Sequence, residues 1–394
     1  MPSFAPFAGL RYDPTRVDPA AVTAPPYDVL DEDDRTALCH RHPDNVVCVD
    51  LPRAPDGGDA YAGADETFRR WRREGLVVQD PAMLYVYRMS WPDEPGRTAS
   101  TTGVLGALAL SPPGEGGILP HEHTTPKARS DRLDLLRATR VNLSPIWGLS
   151  PAAGLTDLLP TDGEPLADFV DDEGIRHQLW PVADDEAVAA ICATVSAEPV
   201  VIADGHHRYE TSLAYRDEQR AAHGTDDGAA ATLVWIVGLV EDELRVGPIH
   251  RVVHDLPPGT DLAAALTGRF TVEPVDRDEA VAWVLEGEGP AVVAADGAAR
   301  LVARPDAFAG VADLDSARVD AALGDVDGLT VTYQHGVGNV TRRVDDGDVD
   351  AGVLLRPATV AQILDIARGG ERMPPKTTFF FPKPRTGMVF RALD

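Results

Sequence analysis

Lysine is almost missing from this chain. Lys127, Lys376 and Lys383 are its three lysines in 394 residues, against 33 Arg, 44 Asp and 19 Glu. Arginine evidently serves wherever a generic surface cation is wanted. The three lysines then mark places that call for a compact ammonium rather than a planar fork. Cysteine is scarce as well. Cys39, Cys48 and Cys192 show no C-x-x-C spacing, which argues against a disulfide framework and a cysteine-rich zinc site. No apolar run approaches the roughly 20 residues of a membrane span. The opening MPSFAPFAGLRYDP lacks the basic start and apolar stretch of a secretory leader. These absences predict a cytoplasmic protein without a membrane partner. The net charge is −27 and the pI about 4.7. Such a field repels phosphate backbones over long range and argues against DNA as a partner. The acid excess itself reads as a solvated surface and says nothing about function.

With 44% hydrophobic residues, a substantial core is available for two domains or one elaborate one. The pattern predicts helices over 59–74, 128–139, 182–197, 206–222, 278–286, 313–323 and 359–368. It predicts strands over 83–88, 101–110, 199–203, 233–240, 290–295 and 352–356. The acidic, turn-rich stretch 156–173 reads as a surface excursion. The fold class is α/β or α+β, with mixed sheets and flanking helices. Residues 1–240 would form a phosphate- or nucleotide-handling core, and 241–394 a second α/β part that returns 373–389 to the site.

Three segments carry chemistry. In Asp204-Gly205-His206-His207-Arg208-Tyr209-Glu210-Thr211-Ser212, a buried strand ends and a helix starts. The amides and dipole of a helix start favour an anion. Gly205 permits the turn, Arg208 offers a bidentate phosphate contact, and His206 and His207 offer titratable nitrogens. The competing structural reading has Asp204 capping the helix and the histidines packing. The second segment holds His121-Glu122-His123 and Lys127, then Arg132, Arg137 and Arg140. His-x-His in extended chain puts both imidazoles on one side, the spacing of many metal sites and phosphate-binding pairs. A salt-bridged solvated helix is the alternative for these arginines. The third, residues 373–387, places Lys376 before Thr377 and Thr378, then a buried aromatic run, then Lys383 between prolines. Near the N-terminus, Asp28 of Pro25-Pro26-Tyr27-Asp28-Val29 could meet a ligand hydroxyl or a metal, or cap a helix.

PPYDV, HEHT with its following K, DR and LLRATRVNLSPIWGL, DGHHRYETS, and MPPKTTFFFPKPRTG together resemble the family called domain of unknown function 1015, from about residue 7 to 390. The DGHHR element around 199–222 also resembles the phosphate-binding motif of the ParB/sulfiredoxin superfamily, which includes CTP-hydrolysing partition proteins, sulfiredoxins and free-serine kinases. By that resemblance Gly205 and Arg208 match its phosphate-contacting Gly and Arg, while the resemblance to the unknown-function family, whose members often lie near serine-biosynthesis genes, implies a serine-related metabolite. The basic DNA-binding regions of the partition proteins have no counterpart here.

The expected function is phosphoryl transfer between a nucleotide (ATP, ADP or CTP, with Mg2+) and a small hydroxylated metabolite. Lys127, Arg132, Arg140, Arg208, Lys376, Thr377 and Lys383 would hold phosphates. Asp204 or Glu122 would take the hydroxyl proton or bind magnesium, and His206 or His207 would serve as acid or base. One alternative is a metal-dependent phosphohydrolase with His121, His123, His206 and Asp204 around a transition metal. Another is a non-catalytic nucleotide switch. A homodimer is compatible with each.

Overall fold

The computed structural model describes residues 1–54, 58–94, 96–112, 115–120, 127–240, 244–257, 259–369 and 373–393. The architecture is mixed α/β, in two compact units. Met1–Pro120, Thr124–Leu244 and Pro382–Asp394 form one, and Arg245–Phe381 lies in the other. No helix among the described residues is long and apolar enough to cross a membrane.

In the first unit, twelve described strands make one mixed sheet. Its path runs Ile118–Pro120, Val200–Asp204, Ile146–Ser150, Ala231–Gly238, Arg97–Ala109, Val77–Glu94, Phe7–Tyr12, Phe390–Ala392 and Val141–Asn142. The central strands are nearly continuous apolar runs because both faces are covered. Trp147, Trp235, Tyr85 and Tyr87 are fully buried between the layers. The helix Lys127–Thr139 packs on the helices Ala60–Arg73 and His206–His223. Asp59 caps the Ala60–Arg73 helix through the Tyr61 and Ala62 amides, and Phe68 and Trp71 point into the core.

The expectations for the other regular segments hold to within a few residues, except that the strand expected over 83–88 extends over Val77–Glu94. Two expectations need correction. The turn-rich stretch 156–173 contains a strand, Ala167–Val170, which pairs with Arg176–Val182 and through it joins the sheet. The aromatic run of the third segment is a strand, Thr378–Phe381, in which Phe380 alone is fully buried. It pairs with the first half of Arg245–His254, so its alternate side chains face out.

The second unit carries a seven-stranded sheet among the described residues, with path Phe270–Val275, Gly297–Ala303, Ala291–Ala294, Ala351–Leu354, Arg245–His254 and Thr330–His335. Arg251 is fully buried there. It pairs with both Asp320 oxygens, at 2.6 and 2.8 Å, donates to the carbonyls of Ile249 and Lys376, and lies over the Tyr333 ring. Beside it His250, 1% exposed, accepts the Leu355 amide on Nδ1. Burial first, then Arg251 and His335, push the His250 pKa down to about 4.

A histidine whose folded pKa lies below its unfolded value binds its proton in the unfolded chain first. Stability is therefore lost as pH falls from about 6.5 toward 4. Urea unfolding should show the second unit weaker by about 2 kcal/mol at pH 5 than at pH 7 from this group alone. The variant His250→Gln should flatten that dependence. An unchanged pH slope in the variant would remove His250 as its source.

Candidate functional site

The strand Val200–Asp204 is held parallel to Ile118–Pro120 and antiparallel to Ile146–Ser150. Against the latter its register shifts between Ile202 and Asp204. A local irregularity of this kind re-aims the next side chain, here that of Asp204. Gly205 follows with φ 89° and lets the chain enter the His206–His223 helix at once. Its N-cap residue, Gly205, has no side chain to cap it, and the helix dipole is directed past the strand end. Arg208, one turn on, folds back over the turn. A Cβ placed on Gly205 would lie 3.0–3.1 Å from its Nε, Cζ and Nη2.

Asp204 organises the charges. One carboxylate oxygen accepts Arg208 Nη2 at 2.6 Å and the other accepts Lys383 Nζ at 2.8 Å. The same ammonium donates to Asp28 Oδ2 at 2.8 Å. Arg208 Nη1 also donates to Ser144 Oγ and the Pro145 carbonyl. Burial would raise the Asp204 pKa, but Lys383 and then Arg208 outweigh it and hold the carboxyl well below the usual range. Burial would likewise lower Lys383 and Arg208. Asp204 and Asp28 reverse both, so each cation is held above its ordinary value. Asp204 is therefore ionised throughout the physiological range. It is a poor proton acceptor and a strong anchor for cations.

Beside this cluster lies a small cavity of about 60 Å³, lined by Tyr27, Asp50, Arg132, Ser144, Arg208 and Thr211, with apolar residues behind them. The Thr211 hydroxyl is buried there without a hydrogen-bond partner among the described residues. Asp50 is buried, and burial, partly offset by Arg132 and Arg208, raises its pKa.

Arg132 was expected to hold phosphate, and the structure employs it otherwise. Its Nη1 donates to the Asp50 carbonyl at 2.7 Å and to Asp50 Oδ1 at 3.0 Å. Its Nε and Nη2 donate to Asp131. Its face covers the Tyr27 ring at 4.4 Å. Little donor capacity is left for a ligand. Arg140 lies away from the cluster. It ends the Lys127–Thr139 helix at φ 52° and lines a separate cleft with Gln219 and His223, near the far end of the His206–His223 helix. Arg137 is spent on Glu218 and Asp134 at the surface, the solvated-helix alternative.

Lys376 and Thr377 belong to the second unit. Lys376 is exposed at φ 59°. The buried Thr377 hydroxyl contacts Ser316 Oγ and the Pro374 carbonyl. His206 and His207 stand at the first two helical positions, half-buried. His206 lies near enough to Asp204 to help lower its pKa. Lys127 opens its helix. His121, Glu122 and His123 lie outside the described residues, among which no group of three His, Cys, Asp or Glu could hold a metal.

Asp50 went unread in the sequence, one Asp among 44. Tyr27, Ser144 and Thr211 sat inside stretches already singled out, but nothing in their spacing marked them as cavity walls.

The segment carrying Lys383 is fixed from below. Arg385 is buried and donates to Thr23 Oγ1, the Thr23 carbonyl and Asp171 Oδ2. Its amide donates to the Tyr87 hydroxyl, which meets His177 Nδ1 at 2.7 Å, while His177 Nε2 meets Asp171 at 3.0 Å. Burial lowers the His177 pKa. A neutral ring with Nε2–H donating and Nδ1 accepting satisfies every contact.

Across residues 4–317 the sequence matches the family described as Protein of unknown function (DUF1015). The chain belongs to that family. A comparison of this DUF1015 protein with curated proteins finds no match. Among solved structures it is distantly similar to a conserved hypothetical protein from Pyrococcus furiosus, at 13% identity and TM-score 0.39, over 68% of this chain and 90% of that one. A free serine kinase in complex with AMP gives 14% and 0.38, over 69% and 88%. SbnI with C-terminal truncation from Staphylococcus aureus gives 13% and 0.39, over 71% and 84%.

Removing the ammonium leaves the part-buried Asp204 with Arg208 as its cation and leaves Asp28 at the exposed edge. Lys383→Met should cost about 1–3 kcal/mol in urea unfolding, and adding Asp204→Asn should recover part of that loss. A single variant as stable as the parent would show that the ion pairs do not hold the segment.

Proposed function

We propose that the strand-end cluster of Asp204, Gly205, Arg208 and Lys383 receives the phosphates of a nucleotide and that the protein transfers a phosphoryl group to a small hydroxylated metabolite. The observation that carries this reading is the convergence at one point of a helix start, a left-handed glycine and two cations whose side chains are each 12% exposed. Phosphoryl transfer asks mainly for positioning and for neutralisation of the equatorial oxygens, and this arrangement supplies both. The anion competes with Asp204 for Arg208 and Lys383, and the helix-start amides add the dipole.

The hydroxyl oxygen attacks the terminal phosphorus, the bond to the bridging oxygen breaks, and the shortened nucleotide leaves. The hydroxyl proton goes to His206 or His207 at the first turn, since Asp204 holds its charge too firmly to take it. Between the carboxylates of Asp28 and Asp204 sits the Lys383 ammonium, in the place a magnesium ion bridging them would need. These two carboxylates therefore do not fit a preformed metal site, and neutralisation falls to the chain's own cations. The cavity beside Arg208 is the natural place for part of the acceptor. The DGHHR resemblance puts serine first among acceptors to try, with ATP, ADP and CTP as donors.

Incubation of the protein with each nucleotide and serine, followed by phosphorus NMR, should show a phosphomonoester. Arg208→Ala should cut its rate by about 10²-fold or more, with Arg208→Lys checked for an unchanged melting temperature. Free phosphate without an acceptor product would favour the phosphohydrolase. Nucleotide-induced stabilisation without any product would favour the switch. Unchanged activity in Arg208→Ala would refute the assignment.

A further inference from the structure

We propose that Cys39 and Cys48 form a modification site, a dithiol that a hydroperoxide closes reversibly to a disulfide. This inference is independent of the phosphate reading. The two residues lie on the helix Glu32–Arg41 and the short helix Val47–Asp50. Their sulfurs approach to 2.6 Å, one thiol donating to the other, against about 2.05 Å in a formed bond. All three cysteines of the chain are free thiols in this structure.

The approach is imposed by the surrounding backbone. Buried Asn45 donates to the carbonyls of Ala21 and Thr23 and accepts the Val47 amide. Leu38, Val47 and Val49 are buried in the same apolar core. The two sulfurs are thus presented to each other by anchored chain on both sides, and closure needs little movement. Both cysteines are only half-buried, so a small oxidant can reach them. Cys192 packs against a different core cluster and serves as an internal control.

Burial, then the hydrogen bond with Cys39, pushes the Cys48 thiol up to about 12, which favours Cys48 as the resolving sulfur and Cys39 as the attacking one. The Cys39 thiolate attacks one peroxide oxygen, the O–O bond breaks, and the departing oxygen leaves protonated. Cys48 sulfur then attacks the Cys39 sulfenic acid, the S–O bond breaks, and the hydroxyl leaves with the Cys48 proton as water. Two thiols and one hydrogen peroxide give one disulfide and two waters.

The staple would sit next to the cavity. Asp50, two residues past Cys48 on the same short helix, holds Arg132 through its carbonyl and its carboxylate. Closing the Cys39–Cys48 loop fixes that helix against its neighbour.

The test uses the full chain, reduced and then exposed to hydrogen peroxide, alkylated, and mapped by peptide mass. The expected result is a Cys39–Cys48 cross-linked peptide lighter by two hydrogens, restored by dithiothreitol, with Cys192 alkylated throughout. Cys192→Ser should retain the bridge. Cys39→Ser and Cys48→Ser should each abolish it, and Cys48→Ser should leave a sulfenic acid on Cys39 that dimedone traps. Equal alkylation of all three thiols after peroxide would overturn the proposal. So would separate over-oxidation of Cys39 and Cys48 without a cross-link.

Discussion

One ammonium between two carboxylates ties this site together. Lys383 reaches Asp28 on one side and Asp204 on the other, while Arg208 occupies the second oxygen of Asp204. Three stretches far apart in the chain therefore meet at one point in the first unit. Bringing Lys383, Arg208 and Asp204 largely out of water is costly, and the mutual attraction of these charges does little more than offset it. An apolar cluster would hold the same segments together at least as well. Under the proposed function, this knot of charge at the end of a strand, beside a helix start, is a binding site in which an arriving anion exchanges places with a carboxylate.

The surrounding structure keeps that knot in register. Arg385 anchors the Lys383 segment on Thr23 and Asp171, and the Tyr87–His177 pair closes the network beneath it. Thr23 and Ala24 lead directly into the Tyr27–Asp28 turn, and Ala24 forms a bridge with Thr386, so Lys383 and its partner Asp28 hang from one frame. Arg132 plays a supporting part: by stacking on Tyr27 and gripping Asp50, it shapes the cavity wall instead of projecting a free charge into it.

What could be read in the sequence followed from local physics. The apolar run before Asp204, the glycine after it and the helical pattern beyond fix a strand, a turn and a helix from neighbouring residues alone. The rarity of lysine singled out Lys383, whose ammonium the structure places between Asp28 and Asp204. The roles of Arg132 and Arg140 were not legible in the same way. A cation's availability depends on partners such as Asp50, which lies 82 positions before Arg132 and carries no local signal in so acidic a chain. The strand at Ala167–Val170 escaped notice for a related reason. Its pairing partner, Arg176–Val182, supplies the order that its own acidic, turn-rich sequence does not.

Only three lysines occur in the chain, so the side-chain nitrogen signals of a lysine-labelled sample can be assigned by substitution and followed one by one. Titration with ADP, monitored at the Lys383 ammonium by nitrogen–proton NMR, is the most direct measurement of whether this knot opens to an anion. A saturable shift of the Lys383 signal, lost in Arg208→Ala, is the outcome expected if phosphate displaces Asp204. A Lys383 signal unmoved at saturating nucleotide would contradict it.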